Sequence, residues 1–319
     1  MKHRFLLLPP CFLCVLCVVL LSFPLAAQNQ PSQTQPPTTL KVDVKLVNVY
    51  ATVLDSQGAP VGSLTKDSFV VSEDGYPQSI AHFERESDLP LSIVLAIDTS
   101  LSTRKDLRLE VESARRFIHA ILRGPDRVMI MAFDTEVREI VRFTSDLKTI
   151  DRGLDAIHAG GATALYDAVF LASDALQNRQ GRKVLVIVTD GGDTVSSTSY
   201  QQALREAIQS EALVYGVIDV PIAANAGRDI GGEHALIQLS HDTGGRYFYA
   251  GSGADLDSVF KKIDEELRTQ YLLAYYPNRR IADSSFRRIK VEVTPPRDDD
   301  HSGPLSVRAR SGYYTSPSQ

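Results

Sequence analysis

Two apolar runs that each stop on an aspartate constrain this chain more than any other feature. In LSIVLAID, residues 91–97 are aliphatic apart from one serine and end at Asp98; in KVLVIVTD, a similar run ends at Asp190. A strand that is apolar on both sides of its pleat has to be covered on both faces, which is the environment of a parallel sheet between layers of helices. Each aspartate then stands at the carboxyl end of its strand. In open α/β sheets ligands bind outside those ends, where the strand order reverses.

The residues around the two runs supply the crossovers that parallel strands need. Leu107, Val111, Ala114, Ile118, Ile121 and Leu122 keep a helical stripe until Gly124-Pro125 ends it. Strands over 127–133 and 137–143 are separated only by Asp134, Thr135 and Glu136, too short a link for a crossover, so they form an antiparallel pair. Helices over 147–157 and 164–176, a helix over 203–208, a strand over 213–220, a Gly/Ala-rich loop over 221–232, a helix over 234–240 and a strand over 247–250 follow. A last helix carries Leu256, Phe260, Ile263 and Leu267 on one face. The pattern predicts a Rossmann-like, doubly wound α/β sheet over 89–270 with one antiparallel edge strand.

Both flanks read as β structure. The alternation over 40–53 slips by one residue, which predicts a bulge or break near Leu46. Residues 69–73 and 78–83 flank Asp74-Gly75, a hairpin signal. Strands over 271–276, 289–293 and 305–309 follow the last helix. Neither the N-terminal β region (40–88) nor the C-terminal one (271–315) has much to bury alone, so the two are expected to pair as one β-sandwich-like domain interrupted by the α/β unit, with 316–319 as a tail. Tyr271, Tyr275, Tyr276, Tyr313 and Tyr314 are assigned to its packing.

Lys2, His3 and Arg4, an apolar run over 5–21, and then Pro24, Ala26 and Ala27 follow signal-peptide grammar over 1–27. The run is short for a bilayer span, and an uncleaved membrane anchor is the alternative. Cys11, Cys14 and Cys17 all fall inside it, so the mature chain has no thiol chemistry, and the large Val15 and Leu16 make Cys17 a poor lipidation site. The tract QNQPSQTQPPTT over 28–39 is a flexible linker. The expected destination is the periplasm, the cell surface or the medium. With 43% hydrophobic residues a core forms without staples. A net charge of −5 with scattered basic residues gives no footprint for nucleic acid.

Asp98, Ser100 and Ser102 form a DxSxS pattern that offers only hard oxygen ligands, suited to Mg²⁺, Mn²⁺ or Ca²⁺ rather than zinc. The competing assignment is a helix cap at Ser102 or Thr103, with Asp106 completing a capping box. Thr163 lies in HAGGATALYDAV, after Gly160 and Gly161 and before a helix, and Asp190 is followed by Gly191-Gly192. Together these pieces resemble the von Willebrand factor type A domain and its metal-ion-dependent adhesion site, and the whole chain resembles secreted bacterial proteins termed VWFA-related. The resemblance implies a Mg²⁺ site in which Ser100, Ser102 and Thr163 supply hydroxyls while Asp98 and Asp190 bind directly or through water. It also implies a non-enzymatic module for adhesion or assembly, whose protein partner contributes an Asp or Glu carboxylate to the metal.

The other polar candidates carry less chemistry. Asp167 and Asp193 are read as helix-terminus or loop residues. His234 and His241 have no third ligand at zinc spacing, and GSGADL at Gly251 lacks the Lys-Ser/Thr of a phosphate loop. The alternative function is a Mg²⁺-dependent phosphohydrolase with Asp98 as nucleophile, which lacks an evident second acid or base. Oligomeric state is not legible in the sequence.

Overall fold

The computed structural model describes residues 46–85, 89–190, 192–219, 230–279, 285–294 and 303–315. The expected signal peptide with its cysteines, the linker, residues 40–45, most of the 221–232 loop and the tail lie outside the described residues.

In chain order the first strands are β1 (Val47–Leu54), β2 (Phe69–Glu73), β3 (Tyr76–Gln78), β4 (Ile80–Arg85) and β5 (Leu91–Asp98). Helix α1 (Leu107–Ile121), strands β6 (Arg127–Phe133) and β7 (Val137–Thr144), helices α2 (Leu147–Asp155) and α3 (Leu165–Gln177) and strand β8 (Arg182–Thr189) follow. Then come α4 (Tyr200–Gln209), β9 (Leu213–Asp219), α5 (Ile230–Thr243), β10 (Arg246–Ala250) and α6 (Gly253–Arg268). The chain closes with β11 (Tyr271–Tyr275), β12 (Phe286–Val293), β13 (Ser306–Ala309) and β14 (Gly312–Tyr314).

The two aspartate-ended runs are adjacent central strands. The sheet order is β10-β9-β8-β5-β6-β7, parallel throughout except for the β6–β7 edge pair, which is antiparallel. From β5 the chain moves through α1 to β6 on one side and later returns to β8 on the other, so the strand order reverses at β5. Alternation along the strand sends side chains into different layers. Leu91, Ile93, Leu95 and Ile97 pack with Ile118 of α1 and Ile263 of α6, whereas Val94 and Ala96 pack with Val169 and Leu176 of α3. Phe117 and Phe260 stack between α1 and α6, with ring centroids 4.6 Å apart.

The flanking strands build two more sheets, β13-β1-β11-β4 and β14-β12-β2-β3. Strand β1 lies between β11 and β13, antiparallel to both, and β2 pairs with β12, so each sheet mixes strands from either side of the α/β unit. One core joins the two sheets: Val49, Val53, Phe69, Val71, Tyr271, Leu273 and Ile289 belong to a single buried cluster. Phe69 and Phe83 meet the Tyr271 ring at 4.8 and 5.9 Å. The Tyr271 hydroxyl donates to the Val61 carbonyl at 2.7 Å and accepts from the Leu64 amide at 3.0 Å.

Several local expectations are revised. Asp74 (φ 50°) and Gly75 (φ 84°) make a tight turn, but it closes only β2 on β3. After Gln78 the chain changes sheets, and β4 pairs with β11 instead. Tyr275 is fully buried while Tyr276 is 53% exposed, so Tyr276 does not pack in the core. Strand β14 is an unexpected partner of β12. Only Thr269 and Gln270 separate α6 from β11. Beside that junction the buried Glu266 receives Arg246 from β10 and Arg308 from β13, each at 2.6 Å.

Candidate metal centre

Asp98 ends β5 with no solvent exposure. One of its carboxylate oxygens accepts the Ser100 amide at 2.8 Å and the other the Thr189 hydroxyl at 2.6 Å. Burial pushes the Asp98 carboxyl up to about 6, against those hydrogen bonds, and the nearby charge of Asp190 adds to the rise. The Ser100 and Ser102 hydroxyl oxygens stand 2.9 Å apart.

The competing capping role is not adopted. Neither Ser102 nor Asp106 makes a side-chain cap bond. A short 3₁₀ turn, Thr103–Lys105, precedes α1, and the Thr103 hydroxyl turns back to the carbonyls of Asp98 and Ser100 at 3.0 and 3.1 Å.

Thr163, 5% exposed, lies in the adjoining loop. That loop is stitched to the DxSxS turn by the Gly160 amide on the Thr99 carbonyl (2.6 Å) and the Leu101 amide on the Gly161 carbonyl (2.9 Å). Its glycines are required by close approach: a Cβ on Gly160 falls 1.9 Å from an Asp134 carboxylate oxygen, and one on Gly161 falls 2.5 Å from the Thr135 hydroxyl. From the other side the Thr163 amide donates to the Thr194 hydroxyl at 2.9 Å, and its carbonyl accepts the Thr194 amide at 2.8 Å. Asp190 follows β8 directly and is half-buried; Gly191 lies outside the described residues. The structure thus joins Asp98, Ser100 and Ser102 in one hydrogen-bonded turn, sets Asp190 within electrostatic reach of Asp98, and brings the Thr163 loop against that turn.

Residues 93–192, which contain all of these positions, match the family model of the von Willebrand factor type A domain. Those residues carry a von Willebrand factor type A domain. No curated protein matches the chain. Among solved structures it is similar to an aerotolerance-related membrane protein from Bacteroides fragilis, at 21% identity and a TM-score of 0.44 over 56% of this chain and 98% of that one. It is also similar to a von Willebrand factor type A protein from Catenulispora acidiphila, at 11% identity and a TM-score of 0.47 over 85% of this chain and 75% of that one. The vWF domain of the type V pili tip protein Mfa5 from Porphyromonas gingivalis gives 12% identity and a TM-score of 0.43, over 56% of this chain and 94% of that one.

The two carboxylates and three hydroxyls expected of the site are all hard oxygen donors, a set whose chemistry fits a hard divalent cation. Among the described residues no group of three or more His, Cys, Asp or Glu is arranged to hold a metal.

Several positioning residues escaped the sequence reading. Thr189 was visible in the VTD tripeptide as the residue before Asp190. Asp134 accepts the Thr99 hydroxyl at 3.1 Å and Arg138 at 2.6 Å; burial opposes its charge most strongly, but the hydrogen bonds from Arg138, the Glu136 amide and Thr99, with the Arg138 charge, together outweigh it and hold the carboxyl below its usual range. Asp193 and Asp167 take the loop and helix-terminus roles expected of them: Asp193 accepts the Tyr166 amide (3.2 Å) and the Ser196 hydroxyl (2.5 Å), and Asp167 accepts the Ser197 and Thr198 amides (3.0 and 2.7 Å). Together they fasten the loop after β8 to the start of α3. His234 and His241 are exposed, and Ser252 of GSGADL caps α6 by accepting the Asp255 amide.

Glu110 is a buried acid that the sequence reading passed over. It is 2% exposed on the inner face of α1, and neither carboxylate oxygen has a hydrogen-bond donor from the protein. Its neighbour is Asp219, at the end of β9. Burial, then the shared hydrogen bond and charge of Asp219, raise the Glu110 carboxyl far above its usual range. Two acids this close are compatible only if one keeps its proton, and the strongly raised Glu110 is the one that keeps it.

Proposed function

We propose that this type A domain holds one divalent cation, Mg²⁺ by preference and Mn²⁺ or Ca²⁺ by the same chemistry, through Asp98, Ser100, Ser102, Thr163 and Asp190. The bound cation captures an Asp or Glu carboxylate of a protein partner. On this reading the chain is a non-enzymatic adhesion or assembly module, exported by its N-terminal segment.

The observation that supports this most is the pairing of the Ser100 and Ser102 hydroxyls beside Asp98. Neither hydroxyl is spent on capping α1, and both stand at the carboxyl end of the strand where the sheet order reverses. Mg²⁺ demands a near-octahedral oxygen shell, which these side chains leave incomplete, so an external carboxylate has a place. Carboxylates acting partly through water leave the cation enough field to attract that anion. The buried, doubly hydrogen-bonded Asp98 weighs against the phosphohydrolase alternative, because a nucleophile needs an open approach and an activating partner.

The test is calorimetric titration of Mg²⁺ into the chain, with thermal denaturation alongside. One site is expected, with a stabilisation of about 2.7 kcal/mol when the free cation is at about a hundred times its dissociation constant. The effect disappears in Asp98→Ala. Unchanged binding in both Asp98→Ala and Asp190→Ala refutes the site. Steady Mg²⁺-dependent turnover of a phosphate ester, abolished by Asp98→Asn, refutes the non-enzymatic reading.

A further inference from the structure

Two of the loops beside the candidate centre are polar, with one aliphatic exception each. Between Asp98 and Leu107 the only aliphatic residue is Leu101; between Asp190 and Tyr200 it is Val195. Both are exposed, Leu101 by 59% and Val195 by 42%. Single exposed aliphatics are ordinary on protein surfaces. These two differ because they converge on the same loop. The Leu101 amide is tied to the Gly161 carbonyl at 2.9 Å and the Val195 amide to the Thr163 carbonyl at 3.2 Å. The two anchor points are two positions apart in the segment that carries Thr163. Val195 is further fixed by the neighbouring Asp193 and by Asp167, which hold the loop on either side of it against α3. Both side chains are therefore presented by braced backbone, and little ordering remains for a partner to impose.

We infer that Leu101 and Val195 form an apolar rim around the centre, which selects protein partners whose carboxylate residue is flanked by an aliphatic or aromatic side chain. The inference rests on the cation-dependent capture of a carboxylate proposed above, and adds to it the chemistry beside the acid. The carboxylate answers the cation; the adjacent apolar group covers Leu101 and Val195, whose burial supplies affinity that an isolated acid lacks. A partner with a polar or charged residue next to its acid gains only the cation contact and leaves the rim wet.

The probe is a displayed library of random short peptides, panned on the full chain in Mg²⁺ and eluted with EDTA. EDTA-eluted peptides are expected to carry Asp or Glu with Leu, Ile, Val, Phe or Tyr next to it. A synthetic peptide of that class should lose roughly tenfold or more in affinity for Leu101→Ser and for Val195→Ser. The same variants should keep the Mg²⁺-induced thermal shift, which separates loss of the rim from loss of the centre. Panning on the double variant should still return acidic peptides, now without the apolar neighbour. EDTA-eluted acidic peptides that lack an apolar neighbour on the unaltered chain, or affinities unchanged in both variants, overturn the rim and leave cation-dependent capture standing. If no peptide is eluted by EDTA from chain shown to bind Mg²⁺, carboxylate capture fails and the rim fails with it.

Discussion

Glu110→Gln should make the domain more stable at neutral and mildly alkaline pH, and should remove part of its pH dependence. In the folded chain Glu110 holds a proton against Asp219, because burial and the second carboxylate raise it; in the unfolded chain it releases that proton at the ordinary glutamate value. The folded state therefore binds more protons than the unfolded state at every pH between those two values. Stability from this group is complete below the unfolded value and falls as pH rises toward the folded one, with a slope of about 1.4 kcal/mol per pH unit. From about pH 6.5 to about pH 8 the loss amounts to about 2 kcal/mol. Glutamine has nearly the same shape, carries no proton to lose and can donate its amide to Asp219. Urea denaturation followed by circular dichroism, in EDTA and at several pH values, measures both chains, and the difference between them cancels every group they share. The variant should gain on the parent by about 2 kcal/mol across that window. Two parallel stability curves would show that Glu110 and Asp219 do not share a proton in the folded chain.

Gly160→Ala drives a Cβ into the Asp134 carboxylate and should cost about 1–3 kcal/mol by forcing the loop outward; chemical denaturation gives the cost, and Mg²⁺ titration should show weakened binding because Thr163 moves with the loop. Tyr271→Phe keeps the ring between Phe69 and Phe83 but removes the donor to Val61 and the acceptor for Leu64. It should destabilise the chain by about 1–3 kcal/mol without altering Mg²⁺ affinity, which calorimetry checks.

The central sheet was legible because its evidence is local. Buried parallel strands such as β5 and β8 need a continuous apolar run, and the link between β6 and β7 is too short for any geometry but a hairpin. Choice of partner is not local: the alternation over 78–83 suits either flanking sheet, and only the packing of β11 decides that β4 leaves β3. Strand β14 is too short to signal itself. At the candidate site, Asp98, Ser100 and Ser102 are legible as one contiguous turn. Bracing by Asp134, Thr135 and Thr194 is not, since it joins segments distant in sequence. Glu110 did leave a signal. It lies three residues after Leu107 and four before Ala114, within the apolar stripe of α1, where a charged residue needs an explanation.

The pairing of β1 with β11 and β13 also fixes a sequence of events. Strand β1 is made early, yet both of its neighbours come from beyond the type A domain, and the hydrogen bonds from Tyr271 back to Val61 and Leu64 span 210 and 207 residues. While the chain is being synthesised, strand β1 has no lasting partner until β11, on the far side of the type A domain, has emerged. The type A domain, whose paired strands all lie between β1 and β11, can close first and bring the flanking segments together, which shortens the loop that the flanking sheets must close. A chain truncated before β13 should therefore retain the central sheet and expose an edge of β1, an aggregation hazard. Strands β11 and β13 act as the clasp.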